Sequence, residues 1–272
     1  MRDNIAFIGA GNMARSLVGG LLKSGVPIDR VVASDPDAAQ RTTMAALGVA
    51  TTASNTSAID GAATIVLAVK PQAMRGVMQG LRSALRAEHL LISIAAGVPI
   101  GAIQRWSAPS LGIVRCMPNT PALYGAAVTA LLANEHATPR QRTTAESTLA
   151  AVGRVIWVDN EAALDAVTAV SGSGPAYFFY LMEAMIAAGV KLGLDEGTAR
   201  TLTLQTATGA ALMAAESGLA PAQLRRNVTS PGGTTEAAIA VLEANRCQTV
   251  LIDALRQASN RSAELAVEFG AD

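Results

Sequence analysis

The chain has 272 residues, of which 50% are hydrophobic and 15% charged, with 21 basic and 21 acidic side chains and no net charge. That composition supplies ample core and excludes a disordered chain. The charge balance and the 3% aromatic content argue against a nucleic-acid surface, which needs clustered cations and stacking rings.

The first half alternates short apolar runs with helical patterns. Residues 5–8 read as a strand and 12–24 as a helix, stopped by Gly25 with Pro27 beyond it. A Val-rich strand over 30–33 comes next. Then Asp35 is expected to cap a helix that starts at Pro36 and ends at Gly48. Residues 64–69 are apolar without alternation, as in a strand buried on both faces of a parallel sheet. Residues 90–94 and 112–115 are of the same kind. The last strands are expected at 128–132 and 155–158, with a helix capped by Thr138-Pro139 between them. Strands alternating with helices predict an α/β domain with a doubly wound, mostly parallel sheet.

The character changes near Asp159. Residues 161–170, 175–191, 195–217, 235–242 and 246–269 suit helices, with breakers at Gly172, Gly174, Gly193, Pro221 and Pro231-Gly232-Gly233. The predicted boundary divides 1–159 from an all-α domain at 160–272. About 110 residues of helix are too thin to bury so much apolar surface alone, so the helices are expected to intertwine with a second subunit.

Gly9-Ala10-Gly11-Asn12-Met13-Ala14 follows the first strand and opens the first helix. In that context the G-x-G-x-x-A pattern predicts a dinucleotide-binding Rossmann domain. Gly9 permits the tight turn, Gly11 lets backbone approach a pyrophosphate, and Ala14 allows close helix–sheet contact. The helix N-terminus offers unpaired amides to the phosphates. An acidic residue about 20 positions on would hold a ribose diol. Here Ser34, able to donate to a 2′-phosphate, precedes Asp35, which would repel one or simply cap the next helix. The preference is left open, with NADPH as the first reading and NADH the alternative. Ala68-Val69-Lys70-Pro71 ends a strand at the edge where such sheets bind ligands. Lys70, one of three lysines, is read either as a phosphate contact or as a solvated strand-end charge. Ala95-Ala96-Gly97 is small enough for a nicotinamide to pass close to backbone.

Cys116 and Cys247 are too few for a disulfide scaffold or a structural zinc site. His89 and His136 lack partners at ligand spacing. No metal is expected, and a cytoplasmic setting fits. Neither a signal peptide nor a membrane span is expected.

Several segments carry a resemblance. They are residues 7–14, Ala68-Val69-Lys70-Pro71-Gln72, residues 93–98, Arg115-Cys116-Met117-Pro118-Asn119-Thr120-Pro121-Ala122, residues 165–177 and residues 228–235. In this order they resemble the pyrroline-5-carboxylate reductases. The resemblance implies NAD(P)H-dependent reduction of 1-pyrroline-5-carboxylate to proline. It also implies a Rossmann domain followed by a helical dimerisation domain, and assembly as homodimers or rings of dimers. By resemblance, Ser230, Gly233 and Thr234 meet the substrate carboxylate and Thr235 the ring nitrogen. Asn55 would lie near the adenine ribose, and Asn227 just before the substrate loop. The chain departs from some relatives in lacking an acidic residue or a histidine just before Pro221.

The residues agree with that chemistry. Residues 229–236 precede a helix, and Gly232 and Gly233 are expected to leave amides open for a carboxylate. Reducing a ketone requires a proton donor for the developing alkoxide. A cyclic imine can arrive already protonated, and its reduction then needs orientation more than a general acid. The loop accordingly has Ser and Thr but no His, Lys or Tyr. Tyr177, Phe178, Phe179 and Tyr180 are expected to pack as an aromatic patch near a subunit interface, with Tyr180 as a proton donor the lesser alternative. A β-hydroxyacid dehydrogenase would share the domain order, but it resembles its relatives in a Lys and an Asn on the first interdomain helix, and residues 164–182 contain neither. A cofactor-binding regulator without catalysis would not need the intact loop from Ser230 to Thr235.

Overall fold

The computed structural model describes residues 4–108 and 110–271. Its strands are β1 (Asn4–Ile8), β2 (Val31–Ser34), β3 (Ala50–Thr52), β4 (Ala62–Leu67), β5 (Leu90–Ser93), β6 (Gly112–Met117), β7 (Ala127–Ala133) and β8 (Gly153–Trp157). They form one sheet in the order β3-β2-β1-β4-β5-β6-β7-β8. Every neighbouring pair is parallel except β6 with β7. The helices of this half are α1 (Asn12–Lys23), α2 (Ala38–Ala45), α3 (Asn55–Ile59), α4 (Pro71–Leu81), α5 (Ile100–Trp106), α6 (Pro139–Ala150) and α7 (Glu161–Val167).

Side chains alternate across each strand, and the buried strands feed a core on each face. Phe7, Val66, Ile92 and Val114 pack with Leu17 and Leu149 from α1 and α6. Ile8, Leu67, Leu91 and Ile113 pack with Met74 and Ile103 from α4 and α5. A sheet covered on both faces needs unbroken apolar strands, which is the pattern read from the sequence.

Four expectations are corrected. Asp35 does not cap α2; Asp37 does, its carboxylate accepting from the Ala39 amide at 2.8 Å. Residues 50–52 form a sheet-edge strand, too short and polar to stand out in sequence. The helix expected over 161–170 ends at Val167 and continues as a π-helical turn, Thr168–Gly172. Pro221, read as a breaker, instead starts α10 (Pro221–Asn227), where its missing N–H costs nothing.

The remaining helices are α8 (Gly174–Lys191), α9 (Glu196–Glu216), α11 (Thr234–Ala244) and α12 (Cys247–Gly270). By contacts the chain forms two compact units, one running to Ser173 and resuming at Gln257, the other spanning Gly174–Arg256. In the first, Ser262 of α12 donates to Asp165 of α7 at 2.7 Å. In the second, the buried side chains among the described residues are Ala199 and Thr203. Phe178, Phe179, Leu181, Leu212, Leu242 and Leu251 are exposed. The aromatic run is therefore not packed within one chain: Phe178, Phe179 and Tyr180 all stand exposed. No helix of the described residues is long and apolar enough to cross a membrane.

Candidate functional site

The carboxyl ends of β1, β4, β5 and β6 are carried on by the turns 9–11, 68–70, 94–97 and 118–119, the edge where open α/β sheets bind ligands. Gly9 turns at φ +102°, and a Cβ there would meet the Ala68 carbonyl oxygen at 2.5 Å. Its amide donates to the Ser34 carbonyl at 2.7 Å. Gly11 is the N-cap of α1 and makes no side-chain cap bond, so the first amides of the helix stay unpaired. A Cβ on Gly11 would meet nothing within 4 Å. Open space above an uncapped helix N-terminus fits a pyrophosphate. Asn12 is exposed, Met13 half-buried, and Ala10 and Ala14 buried.

A polar frame holds this loop. The Ala10 amide donates to Asp35 Oδ2 at 2.9 Å, and Asp35 Oδ1 accepts from the Asp37 amide at 2.9 Å. Arg15 donates to the Ala10 carbonyl at 2.7 Å, to Gln40 Oε1 at 2.7 Å and to Asn12 Oδ1. Arg41 donates to the carbonyls of Asp35 at 2.7 Å and Pro36 at 2.9 Å. Sequence reasoning missed the tether from Asp35 to Ala10 and the part played by Arg15.

Ser34 corrects its expected role as a 2′-phosphate donor. It is buried, and its hydroxyl donates to Asn55 Oδ1 at 2.8 Å. Asn55 opens α3 half-buried, beside the loop. Ala68 and Val69 are half-buried, and Lys70 is an exposed N-cap with Pro71 at the first position of α4. Ala95 and Gly97 are buried and Ala96 half-buried. The neighbour that needs Gly97 small is α12: a Cβ there would lie 3.0 Å from Leu265 and 3.2 Å from Phe269.

Beyond β6, Asn119 joins two segments. Its Nδ2 donates to the Ser171 carbonyl of the π turn at 3.1 Å, and its Oδ1 accepts from the Val128 amide at 3.1 Å. Gly172 packs against Met117, whose Cε would lie 2.4 Å from an added Cβ. Cys116 is buried, and burial pushes its thiol far above the ordinary range, so no thiolate forms there.

The substrate-loop candidates lie in the other compact unit. Thr229 donates to the Arg225 carbonyl at 2.6 Å, and the Gly233 amide donates to the Ser230 carbonyl at 3.0 Å. The Gly232 amide donates to Glu236 Oε2 at 2.7 Å. Both glycine amides expected to be open are thus used within the loop. The amides that helix geometry leaves outward are those of Thr234, Thr235 and Glu236, at the start of α11. No side chain caps this helix at Gly233. Ser230 and Thr234 are exposed, Gly233 and Thr235 half-buried. Asn227 Oδ1 accepts from Gln223 at 2.7 Å. Among the described residues no group of three or more His, Cys, Asp or Glu side chains is placed to hold a metal ion.

Comparisons with known proteins match both halves. Residues 161–265 match the model described as pyrroline-5-carboxylate reductase dimerisation, and residues 4–97 the one described as NADP oxidoreductase, coenzyme F420-dependent. A pyrroline-5-carboxylate reductase of Pseudomonas aeruginosa is 54% identical over 267 residues, covering 98% of each chain. A pyrroline-5-carboxylate reductase structure from Coxiella burnetii superposes with a TM-score of 0.92 at 43% identity, over 98% of this chain and 99% of that one. A Plasmodium falciparum pyrroline carboxylate reductase with NADP bound superposes with a TM-score of 0.87 at 29% identity, over 97% and 98% of the two chains.

Proposed function

The chain belongs to the pyrroline-5-carboxylate reductase family, and from that premise we propose that it reduces 1-pyrroline-5-carboxylate to L-proline with NADPH or NADH, the last step of proline synthesis. The observation that carries the reading is the uncapped start of α11, where Thr234 and Thr235 present amides and hydroxyls with no His, Lys or Tyr in the loop.

The dinucleotide supplies a hydride when bound. The residues that would hold it are Gly9, Ala10, Gly11, Asn12 and Met13 at the phosphates, and Asn55 at the adenosine side. Ala68, Val69, Lys70, Pro71, Ala95, Ala96 and Gly97 would flank it along the sheet edge. Ser230, Gly233 and Thr234 would bind the substrate carboxylate, stabilised by the partial positive charge of the α11 N-terminus. Glu236, bonded to the Gly232 amide, holds the loop in shape. Thr235 would place its hydroxyl against the ring nitrogen and fix the orientation of the iminium carbon. For an imine that binds already protonated, the residues have to orient the ring rather than deliver a proton.

The exposed apolar helices of 174–256 support a homodimer formed through the helical half, and a ring of dimers is the higher assembly we propose. The dimerisation domain is taken to run over 160–272, after a nucleotide domain over 1–159. With both cysteines free, we place the enzyme in the cytoplasm.

The experiment is NADPH and NADH oxidation in the presence of 1-pyrroline-5-carboxylate, with detection of proline. Proline-forming turnover is expected. No turnover with either cofactor, in a folded protein that still binds dinucleotide, overturns the substrate assignment.

A further inference from the structure

The position after β2 decides what the adenosine ribose meets, and this structure puts a hydrogen-bonded carboxylate there. Asp35 Oδ2 accepts from the Ala10 amide at 2.9 Å and Oδ1 from the Asp37 amide at 2.9 Å. Each oxygen keeps acceptor capacity beyond those bonds. The side chains nearest a 2′-phosphate position already have partners within the chain. Ser34 is buried with its hydroxyl on Asn55. Pro36 has no amide proton to offer. Arg41 is held through Nη1 on the carbonyls of Asp35 and Pro36, and the Arg15 guanidinium on Ala10, Asn12 and Gln40. A ribose diol donates to a carboxylate, whereas a phosphate in the same place meets like charge.

We propose that Asp35 is the specificity-determining residue for the cofactor, and that it makes this chain bind the unphosphorylated dinucleotide at least as tightly as the 2′-phosphorylated one. The inference rests on the reductase reading above. Through its bond to Ala10, the carboxylate that receives the ribose also holds the phosphate loop. Cofactor choice and loop shape are therefore coupled through one side chain.

The test is calorimetric titration of NAD+ and NADP+ into the full-length protein and into Asp35→Asn, whose amide oxygen still accepts from Ala10 but carries no charge. Asp35→Ser serves as a second variant, and melting curves check that each is folded. The wild type is expected to bind NAD+ as tightly as NADP+ or more so, and Asp35→Asn to move the ratio of dissociation constants tenfold or more toward NADP+. The ratio of kcat/KM for NADH and NADPH should move in the same direction. A wild-type preference for NADP+, or a ratio that neither variant changes, overturns the proposal and leaves the reductase reading intact. Failure of folded wild-type protein to bind either dinucleotide overturns the reductase reading itself.

Discussion

Arg115 in β6 is ion-paired with Glu161, the first residue of α7, and the same carboxylate accepts from the Ile100 amide at 2.8 Å. One side chain thus gathers β6, the start of α5 and the start of α7 beneath the ligand edge. The two ends of the pair are unequal, since the Arg115 side chain is 3% exposed and that of Glu161 39%. Removing the carboxylate leaves a buried guanidinium without a counter-charge, while removing the guanidinium leaves a carboxylate that water reaches. Glu161→Ala should therefore lower the unfolding free energy by about 3 kcal/mol, and Arg115→Met by clearly less, in urea titrations. The opposite order would mean that the pair does not support the fold.

Gly9 and Gly11 stand two residues apart and should fail differently. Gly9→Ala forces a side chain into a positive-φ turn and against the Ala68 carbonyl, and should cost about 1–3 kcal/mol in stability. Gly11→Val meets open space. It should melt close to wild type yet bind dinucleotide at least tenfold more weakly, as read by calorimetry. Normal dinucleotide affinity in Gly11→Val would move the pyrophosphate elsewhere.

Thr235→Ala should reduce kcat/KM roughly tenfold, the equivalent of one lost hydrogen bond of about 1.4 kcal/mol, with an unchanged melting curve. Steady-state kinetics with 1-pyrroline-5-carboxylate measure it, and unchanged kinetics would remove Thr235 from the site.

His89 is buried, and its Nδ1 accepts from the Arg86 amide at 3.1 Å, which requires the unprotonated nitrogen. Burial lowers its pKa, with Arg86 adding to the effect and Glu88 opposing it. With the folded pKa below the unfolded one, the unfolded chain binds the proton first. Stability from His89 is therefore intact above about pH 6.5 and is lost as the pH falls toward the folded value. In His89→Asn, whose amide oxygen also accepts from Arg86, the slope of stability against pH in that range should flatten. A slope identical to wild type would show that other groups set it.

The nucleotide half was legible because its signals are local. Unbroken apolar strands, Gly9-Ala10-Gly11, and Pro71 and Pro139 at helix starts each act within a few residues. What escaped depends on distant partners. Asp35-Pro36 reads as a helix start, but the Ala10 and Asp37 amides hold the Asp35 carboxylate and leave the capping to Asp37. Ser34 reads as a ligand donor until Asn55 is placed beside it. Gly172 reads as a breaker just beyond the predicted helix, but the π turn that carries the chain to it is matched by the bond from Asn119 to Ser171. At the substrate loop the residue types were readable, but the glycine amides are claimed by Ser230 and Glu236, a detail of loop conformation that composition does not carry.

The helical unit, with Ala199 and Thr203 as its buried side chains among the described residues, has a consequence for how the protein behaves in a cell. Where the interior of a fold is supplied by a second copy, stability follows mass action and grows with the logarithm of protein concentration. Dilution then acts as a denaturant, and a newly made chain must meet another before its C-terminal half is secure. A variant damaged only in its nucleotide loop would still pair, so it would draw intact copies into mixed dimers and lower the yield of fully competent ones.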